Sequence, residues 1–144
     1  MTNFKPGDIV LVDFIFSEQN ESKKRPALII STEEYNKNRK DIIIAAITSN
    51  IARILLGDTL IEDWKKAELL YPSLITAVIQ TIKNDMIIRK LGILSKKDLE
   101  NCKKNLNKSL SLVWIVSIIK VMGLHEIKNY YRLQIITKNK SEKW

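Results

Sequence analysis

Two short stretches of this 144-residue sequence carry side chains that could act on a charged substrate. One is a cluster of cations and the other a run of hydroxyl and amide groups: Lys23-Lys24-Arg25 and Thr48-Ser49-Asn50. Arginine is permanently cationic, and its planar fork of donors matches the oxygens of a phosphate group. If the two stretches lie at adjacent strand ends, Arg25 and the hydroxyls of Thr48 and Ser49 can converge on one phosphate. On spacing alone, a solvated arginine and an ordinary Thr-Ser turn remain the alternative interpretation.

Most other kinds of catalytic and metal site lack the residues that they need in this sequence. There is one histidine, His125, which excludes a paired-histidine nuclease and a histidine-based triad. There is no CxxC or HExxH motif, no carboxylate set with the spacing of a cation site and no glycine-rich phosphate loop. We therefore predict no cofactor and no metal. The one cysteine, Cys102, lies on the apolar stripe of a predicted helix, and we expect it to pack in the core.

The charge is uneven along the chain, whose net charge is +8 and whose pI is about 9.6. Residues 89–144 carry thirteen Lys or Arg against four Asp or Glu, whereas residues 1–36 carry four against six. A basic half favours a polyanionic partner such as nucleic acid or an acidic protein; the alternative is compositional drift in a lysine-rich chain. The hydrophobic content of 45% excludes a disordered chain. A single cysteine and no secretory signal predict a cytoplasmic location.

Apolar runs predict a series of short strands. The run 7–14 has apolar residues on both faces, which indicates a strand buried on both sides. Further strands are predicted over residues 25–31, 42–49, 74–82 and 87–93. The polar stretch 17–24 predicts a long, mobile hairpin loop, and residues 32–41 predict a polar connection with one helical turn.

Two helices complete the predicted elements. The acidic residues that open the stretch 62–70 suit a helix N-terminus, and Pro72 ends that short helix. Ser95 is the expected N-cap of the second helix, with Asp98 in the capping-box position. Apolar residues then recur at helical spacing at Leu99, Cys102, Leu106 and Leu110. The pattern as a whole predicts a mainly β (α+β) domain, a small and partly open β-barrel with a C-terminal helix and a short inserted helix.

We predict that this domain spans residues 1–110 and that residues 111–144 form a C-terminal extension. The apolar run 110–124 is short for a membrane span, which favours a buried or oligomer-facing helix; a β-strand is the alternative. The charged tail 138–144 is expected to fray. An added dimer element, an altered reading frame and a second interaction surface are all open interpretations of the extension.

The order of three motifs resembles the PemK/MazF family of toxins from bacterial toxin–antitoxin pairs. Gly7-Asp8 opens the first strand, Arg25-Pro26-Ala27-Leu28 opens the second, and Ile47-Thr48-Ser49 ends the third. The stretch 63–73 is similar to the W-x-x-A-G-L-x-x-P-S pattern of PemK-like members, and the stretch 89–95 is similar to their K-L-G-x-L-S pattern. The resemblance covers residues 5–110, approximately the whole predicted domain.

The resemblance implies an SH3-like barrel, usually a homodimer, that cuts single-stranded RNA without a metal and is neutralised by a cognate acidic antitoxin. It identifies Arg25 and Thr48 as the catalytic residues, and it matches the 17–24 loop to a mobile loop over the RNA groove. The RNA contacts that we predict are Lys23, Lys24, Ser49, Asn50 and Arg53. Because RNA supplies its own 2′-hydroxyl nucleophile, the protein needs only to orient it and to stabilise the phosphorane. The expected product is a 2′,3′-cyclic phosphate.

Two positions depart from the family pattern. Glu68 stands where the family often has glycine, and the stretch around Ile79 is apolar where the family often has a charged residue. Two other functions therefore remain as alternatives. One is a barrel-type module that binds RNA or an acidic protein without catalysis, and the other is a topoisomerase poison, as in a related toxin family of the same fold.

Overall fold

The computed structural model describes residues 3–16 and 21–111 of the chain. These residues form one six-stranded antiparallel sheet with the strand order β4-β5-β3-β2-β1-β6. The strands are β1 (Asp8–Phe16), β2 (Glu21–Ile29), β3 (Asp41–Thr48), β4 (Thr59–Leu60), β5 (Leu74–Lys83) and β6 (Ile87–Ile93). The helices are α1 (Glu33–Asn38) and α2 (Lys96–Ser109), with a 3-10 turn at Asn84–Met86. The prediction of a mainly β fold with a C-terminal helix is confirmed.

β1 is buried on both faces, as its sequence predicts, because an apolar cluster lies on each side of the sheet. Ile9 packs in the first cluster, which also holds Leu28 of β2 and the α2 residues Cys102 and Leu106. Val10 packs in the second cluster, with residues from β2 and β3: Ala27, Ile29, Ile42 and Ile44. The strands β1, β2 and β3 are thus packed on both faces, which holds β2 and the end of β3 in fixed positions.

β2 begins earlier than its sequence predicts. Lys23 and Lys24 belong to the strand, where they pair with Phe14 and Asp13 of β1, so the connecting loop is shorter than the predicted stretch 17–24. The polar residues at the start of β2 have a weak propensity for strands. They adopt the strand conformation because they pair with β1 as far as Phe16. Residues 17–20 of the predicted loop lie outside the described residues.

The short helix predicted over residues 62–70 is not formed. Residues 62–68 make hydrogen-bonded turns in which the amides of Ala67, Glu68 and Leu69 donate to carbonyls four, three and five residues earlier. Glu68 has a φ of +59°, a left-handed conformation that ends regular helical winding. The single helical turn predicted within residues 32–41 is confirmed by α1, whose N-terminus is capped by the Thr32 hydroxyl accepting from the Tyr35 amide.

α2 starts where the capping pattern predicts. The Ser95 hydroxyl accepts a hydrogen bond from the Asp98 amide at 3.2 Å, which confirms Ser95 as the cap. The Asp98 carboxylate is fully buried and accepts from the amides of Glu62 (3.2 Å) and Asp63 (2.9 Å), which lie in the turns 62–68. Cys102 is a core residue as predicted, and burial raises the pKa of its thiol to about 11.

The chain divides into two compact units, Met1–Ser109 and Leu110–Trp144. The helix or strand predicted within 110–124 and the frayed tail 138–144 fall on residues that, from 112 onward, lie outside the described part of the chain. Among residues 3–16 and 21–111, no helix has the length and apolar character needed to cross a membrane.

Candidate active site

The register of the sheet brings Arg25 and Thr48 to the same place. Ala27 of β2 pairs with Ala46 of β3. Arg25 lies two residues before Ala27 and Thr48 two residues after Ala46, so the antiparallel register puts them at the same level. Side chains two residues apart on a strand point to the same face, and cross-strand partners share a face. Arg25 and Thr48 therefore extend from the same face of the sheet, Arg25 from the middle of β2 and Thr48 from the end of β3.

Both side chains line one cavity of about 740 Å³. It is lined by residues 24–26 of β2, by residues 47–50 at and after the end of β3, and by the segment 68–71, which is called the wall. Because Lys24 and Arg25 alternate along β2, residues from both faces of the sheet border the cavity. Leu11 of β1 and Leu91 of β6 contribute apolar surface to the lining.

Five of the seven predicted site residues line this cavity: Lys24, Arg25, Thr48, Ser49 and Asn50. Lys23 is exposed on β2 and Arg53 is exposed in the loop after β3, and neither lines the cavity. Lys23 lies two residues before Arg25 on the same face of β2, beyond residues 24–26, the part of the strand that borders the cavity. The sequence analysis assigned Lys23, Lys24 and Arg25 to the site together, because the sequence does not show that β2 begins before them, at Glu21.

The segment after β3 is held by its own side chains. The Thr48 hydroxyl accepts a hydrogen bond from the Asn50 amide at 3.1 Å, and the Asn50 side-chain oxygen accepts from the Ala52 amide at 3.3 Å. A threonine hydroxyl that accepts one hydrogen bond keeps its own proton for donation. Thr48 is thus fixed in position and can donate to an oxygen atom in the cavity.

Arg89 is a lining residue that the sequence analysis did not assign to the site. Arg89 lies on β6, where it pairs with Leu11 of β1. β1 lies between β6 and β2, the strand that contains Arg25. Among the lining residues, Lys24, Arg25 and Arg89 are cationic and Glu68 is the one acid. The cavity is therefore positive in net charge, which suits an anionic ligand such as a phosphate chain. The signal that could have indicated Arg89 is its place in the basic stretch that opens the positive half of the chain.

The wall 68–71 was also missed, because the sequence predicted a helix there. Glu68 adopts its left-handed φ at the position where the resembling family pattern has glycine, the residue that takes this conformation without strain. Gly92 of β6 lets the segment approach closely, since a Cβ there would lie 2.3 Å from the Ala67 carbonyl oxygen. Leu69 is buried in the core and anchors the segment, which leaves Leu70 and Tyr71 facing outward.

Within the described part of the chain, no group of three or more His, Cys, Asp or Glu residues is arranged to hold a metal ion. The chemical resources of the cavity are cationic guanidinium and ammonium groups, hydroxyls and an exposed aromatic ring. Such a set can bind a phosphodiester and stabilise negative charge that develops on it.

The fold and cavity define a small β-sheet protein with a cationic cleft bordered by two central strands. The family model of PemK-like and MazF-like toxins of type II toxin–antitoxin systems matches residues 5–110. The chain belongs to this family. A comparison with curated proteins finds no matching sequence.

Solved structures share the fold at low sequence identity. An endoribonuclease from a mycobacterial species superposes with a TM-score of 0.63 at 18% identity, covering 79% of this chain and 97% of that one. MazF from Deinococcus radiodurans gives a TM-score of 0.63 at 17% identity, covering 78% and 100%. The Mycobacterium tuberculosis toxin MazF-mt6 gives 0.61 at 21% identity, covering 73% and 97%. These likenesses establish the fold.

Proposed function

We propose that this toxin is an endoribonuclease that cleaves single-stranded RNA without a metal ion. The observation that carries the proposal is the convergence of Arg25 and Thr48 at one level and one face of the sheet, on a single cavity. Membership of the toxin family supports the proposal, as does the likeness in fold to a protein described as an endoribonuclease.

In the proposed reaction, the 2′-hydroxyl oxygen of RNA attacks the adjacent phosphorus. The P–O2′ bond forms and the P–O5′ bond breaks, while the 2′-hydroxyl loses its proton and the departing 5′-oxygen gains one. The products are a 2′,3′-cyclic phosphate and a 5′-hydroxyl end. Arg25 stabilises the charge on the phosphorane through its donors, and Thr48 donates to the same phosphate. Because arginine stays protonated in proteins, Arg25 acts as a cation and not as a general base.

The remaining predicted contacts position the RNA chain in this proposal. Lys24, Ser49 and Asn50 line the same cavity, and in this proposal they hold the phosphates on either side of the scissile bond. Arg89 supplies a further cation on the β6 side. Lys23 and Arg53 lie outside the cavity and would contact RNA only where it leaves the cleft.

The test is cleavage of a single-stranded RNA in the presence of EDTA. We expect Arg25→Ala to lower kcat about 10²–10³-fold, the usual loss when one transition-state donor is removed, and Thr48→Ala to have a similar effect. Arg39→Ala is the matched control, since Arg39 is an exposed arginine at the C-terminal end of α1 and does not line the cavity. Its rate should equal that of the unmodified protein, and the new ends should be cyclic phosphates.

The same assay separates the nuclease from a binding module. Retention of RNA by the protein with no cleavage, or cleavage that Arg25→Ala leaves unchanged, would contradict the nuclease proposal. Cleavage that EDTA abolishes would contradict its metal-independent mechanism.

We also propose a homodimer and a cognate antitoxin as the partners of this toxin. Two of the structures with this fold are described as complexes with an antitoxin: that of a mycobacterial endoribonuclease and that of MazF from Deinococcus radiodurans with MazE. Light scattering of the purified chain should give twice the monomer mass of 16.7 kDa. Expression of the chain alone should arrest bacterial growth, and co-expression with its cognate antitoxin should relieve the arrest.

A further inference from the structure

Two large apolar side chains are exposed on the wall of the cationic cavity. Leu70 is 85% exposed and Tyr71 is 65% exposed, and both line the cavity that holds Arg25 and Thr48. Scattered exposed apolar residues are ordinary on a protein surface, but a flat aromatic ring beside a cationic cleft offers a specific contact. This pair, Leu70 and Tyr71, is called the apolar wall below.

The backbone of the apolar wall is fixed before any ligand binds. The buried Ser73 hydroxyl donates a hydrogen bond to the Tyr71 carbonyl at 2.8 Å. Pro72 restricts Tyr71 to extended backbone conformations, since its ring disfavours the helical region for the preceding residue. On the other side, the Leu69 amide donates to the Trp64 carbonyl at 3.1 Å, and the Leu69 side chain is buried in the core. The aromatic ring is therefore presented by a rigid segment, at low entropic cost to a ligand.

The chemistry around the apolar wall selects among ligands. The cations Lys24, Arg25 and Arg89 stand against one acid, Glu68, so the cavity favours a ligand that is anionic and also has a flat apolar part. An RNA nucleotide combines both properties, because its phosphate is an anion and its unpaired base has a π face that stacks on aromatic side chains. The carboxylates of an acidic peptide would pair with the cations, but they would gain little from the exposed ring of Tyr71.

We propose that Tyr71, supported by Leu70, stacks on the unpaired base next to the scissile phosphate and so holds single-stranded RNA in the cavity, whichever base it carries. This inference rests on the proposed function, because it takes RNA as the ligand. Stacking of this kind holds the substrate and the transition state equally, so Tyr71 acts on binding and not on the chemical step. It also explains a preference for single strands, since a base in a duplex has no free face to offer.

The test compares two uncleavable probes that carry the same charge. One is a 2′-O-methyl oligoribonucleotide of mixed sequence, about ten nucleotides long, and the other is the same backbone with abasic positions. We expect the protein to bind the base-bearing probe about 5- to 150-fold more tightly than the abasic probe, which is the range expected when one base stacks on an aromatic side chain. Tyr71→Ala should abolish this difference, Tyr71→Phe should retain it, and Tyr35→Ala, a tyrosine control on α1, should leave it unchanged.

A second readout uses cleavable RNA. Tyr71→Ala should raise KM and leave kcat nearly unchanged, which is the reverse of the expected effect of Arg25→Ala. Circular dichroism of each variant checks that it is folded.

Equal binding of the two probes by the unmodified protein, or a base preference that survives in Tyr71→Ala, would overturn the stacking proposal. If the base preference survives and Tyr71→Ala instead weakens binding of an antitoxin, the apolar wall is a protein contact and the stacking proposal is still overturned. Neither result depends on cleavage, so the nuclease proposal can stand when stacking fails. Conversely, a protein that does not cleave RNA but shows the Tyr71-dependent base preference would refute the nuclease proposal alone.

Discussion

The cavity bordered by β2 and by the end of β3 uses charge in one way, and the junction between α2 and the turns 62–68 uses it in the opposite way. At the cavity, Lys24, Arg25 and Arg89 are exposed, and their charges face solvent where a ligand can bind. At the junction, the Asp98 carboxylate is fully buried and accepts two backbone amides. A buried charge costs several kcal/mol unless hydrogen bonds compensate it, roughly as Asp98 is compensated here. The structural charge of Asp98 is thus buried among backbone donors, whereas the cations of the cavity lie at the surface.

β6 shows the same contrast between two adjacent residues. Arg89 lines the cavity, whereas Lys90 pairs at 2.7 Å with the buried carboxylate of Asp8. Asp8 also accepts the Lys5 amide at 3.1 Å, which secures the start of β1. The Gly7-Asp8 motif therefore has a structural role in this fold. Of the two basic residues of β6, Lys90 pairs with this motif and Arg89 lines the cavity.

The largest test of this comparison is Asp98→Ala. The substitution leaves the amides of Glu62 and Asp63 without their acceptor, and we expect it to lower the free energy of unfolding by about 3 kcal/mol. Asp98→Asn keeps one acceptor oxygen and should lose less. Urea denaturation measures both effects. An Asp98→Ala protein as stable as the unmodified chain would show that the junction is held by packing and not by its buried carboxylate.

A smaller effect is expected at Glu68, on the boundary between the two regions. Glu68→Gly relieves the left-handed backbone strain at φ +59° and should raise the free energy of unfolding by about 1 kcal/mol. Glu68→Gln is the control, because it removes the same charge and keeps the strained backbone. Thermal melting should separate the two variants. Equal melting temperatures would attribute any gain to the charge, and the explanation from backbone strain would then fail.

The smallest effect is expected for the exposed ion pair between Lys97 and Glu62, which lies beside the buried Asp98. The Glu62 carboxylate raises the pKa of Lys97, chiefly by hydrogen bonding. A lysine with a raised pKa contributes its full stabilisation below its unfolded value of 10.5 and loses it only as the pH rises through the folded pKa. Lys97→Ala should therefore change the melting temperature only slightly and uniformly between pH 6 and 9, roughly the range where lysine stays charged. A loss as large as that of Asp98→Ala would contradict the contrast between exposed and buried charges.

Much of the framework could be predicted from local pattern. β1, β3, β5 and β6 follow from apolar runs, and α2 follows from the Ser95 cap and its helical spacing, because these signals depend on residues close together in the chain. The pairing of Arg25 with Thr48 was predicted from motifs at the ends of two strands. The sheet register supports the predicted closeness of the two residues, and both of them line one cavity. The catalytic roles of the two residues remain predictions that the cleavage assay tests.

The parts that could not be predicted depend on contacts between distant residues. The segment 62–70 has the composition of a helix, yet Asp98 and Gly92, both more than twenty positions away in the chain, hold it as turns. Lys23 and Lys24 have the polarity of a loop, yet pairing with β1 includes them in β2.

By itself, the sequence determined β1, β3, β5 and β6, the capped helix α2, the positive charge and the family to which the toxin belongs. Only the tertiary structure decided that Arg89 and the apolar wall border the same cavity as Arg25 and Thr48. The physical reason is that strand and helix signals arise within a few residues of the chain, whereas a binding cavity is formed by segments that meet only when the sheet has folded.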